Sequence, residues 1–336
     1  MKRLICVNPG QFEYAETQEP QWSPGNSIIK MERLGICGTD YHAFDGNQPF
    51  FTYPRILGHE IAGKIVQTSS KAFQVGDRVT VSPYIYCGKC IACRNSRTNC
   101  CTAMNVIGVH SDGGMQEYIS IPDHLLIHGD GLDPDQLALV EPLAIGAHGV
   151  ARAQILPGEN VLVMGAGPIG LATADFVRIA GARIIMMDVD EAKLKFCRET
   201  MRHPEAVNAA LSYAYDQVSS LTNGEMPTAI FDCTGNLGAI ERGFSYMAHT
   251  ARYVLIGLQK QQISFNHPEF HKREATLMSS RNALPKDFKQ VIKAIKRGDV
   301  LTDNYITHRI NFTDVKDKFA GLRQSLEPVV KALIHF

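Results

Sequence analysis

The sequence predicts an α/β protein in which a β-rich part precedes a doubly wound parallel sheet with crossover helices. Three observations carry this. Before about residue 143, short runs of alternating or β-branched residues are broken by glycine and proline. From about residue 149, apolar strands alternate with helices of 3.6-residue period. A glycine-rich turn, Gly165-Ala-Gly167-Pro168-Ile169-Gly170, stands where the first of those strands meets the first of those helices.

The elements follow in order. Strands are expected at 28–32, 61–67 and 78–82, the last entered through the Gly76-Asp77 turn. A buried strand at 161–164, a helix at 168–180, a strand at 183–188 and a helix at 191–201 come next, then strands at 229–232 and 252–256. The 252–256 strand is expected to form an edge where the sheets of two subunits pair. The last fifty residues return to a mixed texture, with a helix at 286–296 and an apolar close at 329–334. The chain shows no internal repeat and no low-complexity linker.

Its 336 residues are enough for two domains, each with a core. With 34 Lys+Arg against 34 Asp+Glu there is no field to draw nucleic acid or an anionic membrane. The longest uncharged stretch, 160–174, is too short and glycine-rich for a membrane span. Only four residues separate Met1-Lys2-Arg3 from Asn8-Pro9-Gly10, too few for the apolar core of a secretory signal, so a cytoplasmic protein is expected.

The glycine turn has the context of a dinucleotide site. Gly165 permits the turn, Gly167 lets the backbone approach a pyrophosphate, and Gly170 allows the helix to pack closely on the strand. The helix N-terminus, opened by Pro168 and Ile169, offers N–H groups and partial positive charge to phosphates. Asp188 ends the next strand, where an acid accepts from the adenosine ribose hydroxyls and repels a 2′-phosphate, which favours NAD over NADP. Lys193 either flanks the same ribose or is an exposed helix lysine.

Five of the nine cysteines fall within fifteen residues. Cys87-x2-Cys90-x2-Cys93-x7-Cys101 supplies four thiolates, enough to close a tetrahedral zinc shell whose role is structural. Cys100 is a bystander, although spacing alone allows a swap with Cys101. An iron–sulfur site would have a tighter fourth spacing followed by proline, a redox pair needs only two cysteines, and a nucleic-acid-binding ribbon needs a basic surface. A second, dispersed set comprises Cys37, His59-Glu60 and Glu141, donors that zinc accepts with a position left open for substrate.

Gly-Ile-Cys37-Gly-Thr39-Asp40, Gly58-His59-Glu60-x2-Gly63, the four-cysteine lobe, Val140-Glu141-Pro142 and the Gly165 turn occur in this order in the zinc-dependent medium-chain alcohol and polyol dehydrogenases, which the chain resembles over essentially its whole length. It is more similar to the sorbitol and threonine dehydrogenase side than to the ethanol-using enzymes, because Glu141 stands where the latter carry a third-ligand cysteine. Within that side, residues 45–54, 106–114 and 279–283 resemble the sugar-acid 5-dehydrogenases, especially those for L-galactonate and L-gulonate.

The resemblance implies a GroES-like β-rich catalytic domain, 1–145 plus 286–336, with a Rossmann NAD-binding domain, 146–285, inserted. It implies NAD, a structural zinc and a catalytic zinc held by Cys37 and His59, with Glu60 or Glu141 completing the shell. Thr39 would take the substrate proton and His42 pass it to solvent, while Asp40 would accept the free N–H of His59. Arg281, with Asn282, would meet either a substrate carboxylate or a cofactor phosphate; His110 and Tyr84 are further pocket candidates. The implied substrate is a small sugar acid or polyol, and the implied assembly a homodimer or homotetramer. The competing readings are a neutral polyol (sorbitol or L-iditol) or threonine dehydrogenase, and a non-catalytic NAD-binding sensor. Retention of Cys37, Thr39, His42, His59 and Glu141 speaks against the sensor.

Overall fold

A computed structural model describes residues 1–48, 50–322 and 329–336. Pro49, inside the 45–54 motif, and residues 323–328, inside the C-terminal segment, lie outside the described residues. The chain divides into two units: Met1–Glu141 with Ala283–Phe336, and Pro142–Asn282.

In the first unit the long strand Asn26–Ile36 is the hub of a seven-stranded sheet. It pairs antiparallel with Glu60–Gln67 along one edge. On the other edge its first half pairs with Tyr118–Pro122 and its last residues with the C-terminal strand Lys331–His335. Arg78–Val81 and Leu126–His128 extend the sheet on one side, and Ile306–Asn311 on the other. Alternating residues such as Ile29, Met31, Leu34, Ile61 and Ile65 turn one face into a continuous core. Gly35 pairs with Glu60 and Ile36 with Ala332. That register brings three sequence-distant points, Cys37, Glu60 and Lys331, to one end of the sheet.

The second unit carries six parallel strands. In chain order they are Asn160–Met164, Arg183–Asp188, Ala206–Asn208, Ala229–Asp232, Arg252–Leu255 and Thr276–Ser279. Their spatial order is 3-2-1-4-5-6, the Rossmann arrangement, whose strand order reverses between the first and fourth strands. The unbroken apolar run Val161–Met164, buried throughout, suits a central strand covered on both faces.

Two expectations are corrected here. Arg252–Leu255 is paired on both sides, and the edge is Thr276–Ser279. That short Thr-Leu-Met-Ser segment is largely exposed and lacks the apolar run that announces a strand. The texture change near residue 149 also falls within a helix, Val140–Ala153, which places Glu141 in a helical first turn.

Candidate active site and cofactor cavity

The strand Asn26–Ile36 ends one residue before Cys37, and the short helix Gly38–Phe44 begins one residue after it. Asp40 ties this corner down. Its buried carboxylate accepts from Cys37 N–H (2.9 Å) and from Gly58 N–H (3.1 Å), so it braces Cys37 and the residue before His59 together. It does not accept the ring N–H of His59. The Oδ1 to Nδ1 separation is 3.8 Å, and Nδ1 has no hydrogen-bond partner. Asp40 therefore positions backbone rather than imidazole: its oxygens lie within hydrogen-bond distance of the two amides and beyond it from the ring nitrogen.

Cys37, His59 and Glu60 each offer a ligand atom, all within 4.8 Å of one another. Glu141 is not in that group; its carboxylate receives the Tyr84 hydroxyl. Glu60 is wholly buried and gripped by Lys331, whose Nζ reaches its two oxygens at 2.6 and 2.9 Å and the Ile36 carbonyl at 3.2 Å. A Cβ at Gly35 would lie 1.9 Å from Glu60 Oε2, so the missing side chain there is what makes room for the carboxylate. Sequence reasoning missed both Gly35 and Lys331. A lysine within an apolar C-terminal strand is the one signal that could have marked the latter, since lysine is almost never fully buried unless paired.

The electrostatics suit a cation. Burial opposes protonation of His59, but the charge of Cys37, its hydrogen bond, and the nearby Asp40 and Glu141 carboxylates outweigh it and hold the pKa well above the ordinary value. Burial raises the Glu141 and Asp40 carboxyls, and the neighbouring Glu60 pushes each further. Three buried carboxyl groups and the Cys37 sulfur thus crowd one corner, with Lys331 as counter-charge to Glu60. An unpartnered buried imidazole nitrogen beside a cysteine sulfur and a carboxylate is a donor set that fits zinc. Thr39 and His42 lie three residues apart on the helix Gly38–Phe44, hence on one face, the first half-buried and the second exposed.

The cysteine lobe is a separate construction. Cys87, Cys90, Cys93 and Cys101 have their sulfurs within 4.8 Å of one another, and exposed Cys100 is outside the group. Cys90 Sγ lies 3.5 Å from that of Cys93 and 3.9 Å from that of Cys101. Tetrahedral zinc with bonds of about 2.3 Å puts its sulfurs about 3.8 Å apart. Backbone N–H groups point at these sulfurs: Cys87 N and Ala103 N at Cys101 (3.3 and 3.4 Å), Cys90 N at Cys87 (3.4 Å). Such donors, first that of Cys93, bring the Cys90 thiol down to about 5.

In the second unit a cavity of about 410 Å³ opens at the strand-order reversal, lined by Gly165, Gly167, Asp188 and Lys193 on one side and Cys233, Thr234 and Asn236 on the other. Gly165 has φ +100°, which a side chain would strain, and a Cβ at Gly170 would lie 1.7 Å from the Gly165 carbonyl. A Cβ at Gly167 would meet no atom within 4 Å, so the bare backbone faces open space. Asp188 accepts from Ala166 N–H (2.7 Å) and Asp190 N–H (3.0 Å), fixing its carboxylate at the rim. Pro168 and Ile169 open the helix Pro168–Ile179. Arg281 lies outside the cavity lining, two residues past the edge strand. His110, the other sequence candidate, accepts Val106 N–H on Nδ1 (3.0 Å) and stacks on Phe50.

Comparison with known proteins decides the family. A model of the alcohol dehydrogenase GroES-like domain matches residues 23–130, and one of the zinc-binding dehydrogenases matches 168–297. This chain belongs to the zinc-binding dehydrogenase family. L-galactonate-5-dehydrogenase of Escherichia coli (strain K12) is 39% identical over 100% of this chain and 99% of its own. Sorbitol dehydrogenase of Halalkalibacterium halodurans is 30% identical over 94% of each. The solved structure of a short chain alcohol dehydrogenase (rspB) from E. coli CFT073, complexed with NADH, superposes with a TM-score of 0.93 at 28% identity, covering 100% of this chain and 99% of that one. The protein is a zinc-dependent medium-chain dehydrogenase that uses a nicotinamide dinucleotide. Among the described residues, no helix is long and apolar enough to cross a membrane.

Proposed function

We propose that this dehydrogenase oxidises a secondary hydroxyl of a sugar acid with NAD, as an L-hexonate 5-dehydrogenase taking L-galactonate to D-tagaturonate or L-gulonate to D-fructuronate. The observation that carries this is the full-length likeness to L-galactonate-5-dehydrogenase, in a chain that keeps the complete Cys37–His59–Glu60 donor set. NAD is favoured over NADP because the fixed Asp188 carboxylate at the cavity rim would repel a 2′-phosphate.

Two zinc ions per chain fit the two donor sets. Cys37, His59 and Glu60 would hold the catalytic one, and Cys87, Cys90, Cys93 and Cys101 the structural one. Zinc in the first set supplies Lewis acidity that makes a substrate hydroxyl easier to deprotonate. The chain does the rest. Thr39 accepts the hydroxyl proton and His42, one helical turn further toward solvent, carries it out. Asp40 keeps Cys37 and the 58–59 backbone in place, and Tyr84 restrains Glu141 beside them. The alcohol loses a proton to solvent and a hydride to NAD, leaving a ketone and NADH. Arg281 is assigned to either the substrate carboxylate or a cofactor phosphate. The open edge at Thr276–Ser279 supports a homodimer or homotetramer built by strand pairing, which sedimentation tests.

NADH formation from hexonates, sorbitol, L-iditol and threonine tests the substrate. Turnover confined to the hexonates is expected, and sorbitol turned over as well or better refutes the reading. Arg281→Ala should raise KM for carboxylated substrates alone if it meets the carboxylate, and KM for NAD if it meets a phosphate.

A further inference from the structure

The cofactor cavity has a part that the glycine turn and Asp188 do not account for. Past Asp188 its wall continues with Val189 on one side and with Ala239, Arg242 and Tyr246 on the other. Val189 is 60% exposed, an apolar side chain left open at the cavity rim directly after the ribose-side acid. Ala209, whose N–H binds the Asp188 carbonyl at 2.9 Å, lines the same cavity. Pyrophosphate at Gly167 and ribose at Asp188 leave this end for the adenine, a flat and uncharged ring.

Arg242 is the one charged side chain on the wall facing Val189 among the described lining residues. It belongs to the helix Leu237–Gly243, whose first residue follows Asn236. The Arg242 Nε–H donates to the Gly238 carbonyl (3.2 Å), which folds the side chain back along the helix toward its N-terminal end, where Asn236 and Thr234 also line the cavity. That bond uses the inner nitrogen of a guanidinium whose residue lines the cavity.

We propose that Arg242 is a cofactor-binding residue that holds the adenine ring of the dinucleotide, laying its guanidinium plane on one face of the ring while Val189 covers the other. The inference rests on the reading of this cavity as the dinucleotide site. A planar, weakly hydrated cation stacks on an aromatic ring, whereas a lysine ammonium lacks the plane. The competing role for a cation here, with Lys193 close by, is to meet a 2′-phosphate.

Binding to the intact enzyme separates these. NADH, NADPH and reduced nicotinamide mononucleotide, which lacks adenosine, are titrated by nicotinamide fluorescence against wild type, Arg242→Ala and Arg242→Lys. Arg242→Ala is expected to weaken NADH by about 3- to 30-fold, to leave the mononucleotide unchanged, and not to be rescued by Arg242→Lys. Unchanged NADH affinity, equal loss for the mononucleotide, loss confined to NADPH, or full rescue by lysine would each overturn the proposal. Wild-type binding of NADH tests the cavity itself: no binding there would remove the cofactor reading and this inference together, whereas the outcomes above remove Arg242 alone.

Discussion

The two candidate metal centres are built from opposite materials. The cysteine lobe takes all four donors from fifteen consecutive residues, 87–101, and orients them with backbone N–H groups of the same loop. The Cys37 centre takes donors from a strand end and the start of the next strand, and then borrows Lys331 from the far end of the chain to neutralise one of them. A local loop with four thiolates needs nothing else, so it can close its shell and serve structure. A centre with three protein donors would leave a coordination position open for substrate, and its geometry depends on the register of the whole sheet.

Substitutions should therefore separate activity from stability. The largest effect is expected from Cys37→Ser, which should lower turnover roughly a thousandfold and remove one of two zinc ions, with a thermal midpoint near wild type. Metal analysis and calorimetry on the same sample check this; turnover left intact would rule out Cys37 as a ligand. Lys331→Met leaves a buried Glu60 carboxylate without its partner, which costs about 3–5 kcal/mol. Denaturant midpoints should fall accordingly, and a wild-type midpoint would mean that the pair contributes no stability.

Cys90→Ser should show the reverse of Cys37→Ser: one zinc lost and a midpoint lower by about 5–10 °C, with turnover at low temperature within a few-fold of wild type. Gly35→Ala pushes a Cβ into Glu60 Oε2 and should destabilise by about 1–3 kcal/mol while lowering turnover, an effect with no counterpart in the cysteine lobe. The smallest shift concerns Asp135, outside both centres. Burial raises its carboxyl, but bonds from Arg33 and Arg309 outweigh that and hold its pKa below the ordinary value. Its stabilisation is thus present above the ordinary carboxylate range and is lost as pH falls through the lower folded value. Asp135→Asn should cost under about 1 kcal/mol at neutral pH, and the difference from wild type should vanish in acid melts.

The same contrast explains what could be read early. The glycine turn at 165–170, the strand that follows it through Asp188, and the cysteine lobe are local patterns whose chemistry is complete within a short stretch. The edge strand Thr276–Ser279 escaped notice because its identity comes from pairing with Arg252–Leu255, not from an apolar run of its own. Asp40 belongs to the site by sequence, yet its partners, two backbone amides twenty-one residues apart at Cys37 and Gly58, could be known only once that corner was folded.

Residue order alone established the α/β class, the dinucleotide turn and the four-cysteine cluster, because each depends on side-chain chemistry at short spacing, and it narrowed the dispersed donors to Cys37, His59 and one of Glu60 and Glu141. Tertiary structure decided that Glu60, not Glu141, joins Cys37 and His59 within ligand distance, that Gly35 leaves room for it, and that Lys331 holds it. Those three facts depend on strand register across hundreds of residues of chain, and register is set by packing of the whole sheet rather than by any segment of it.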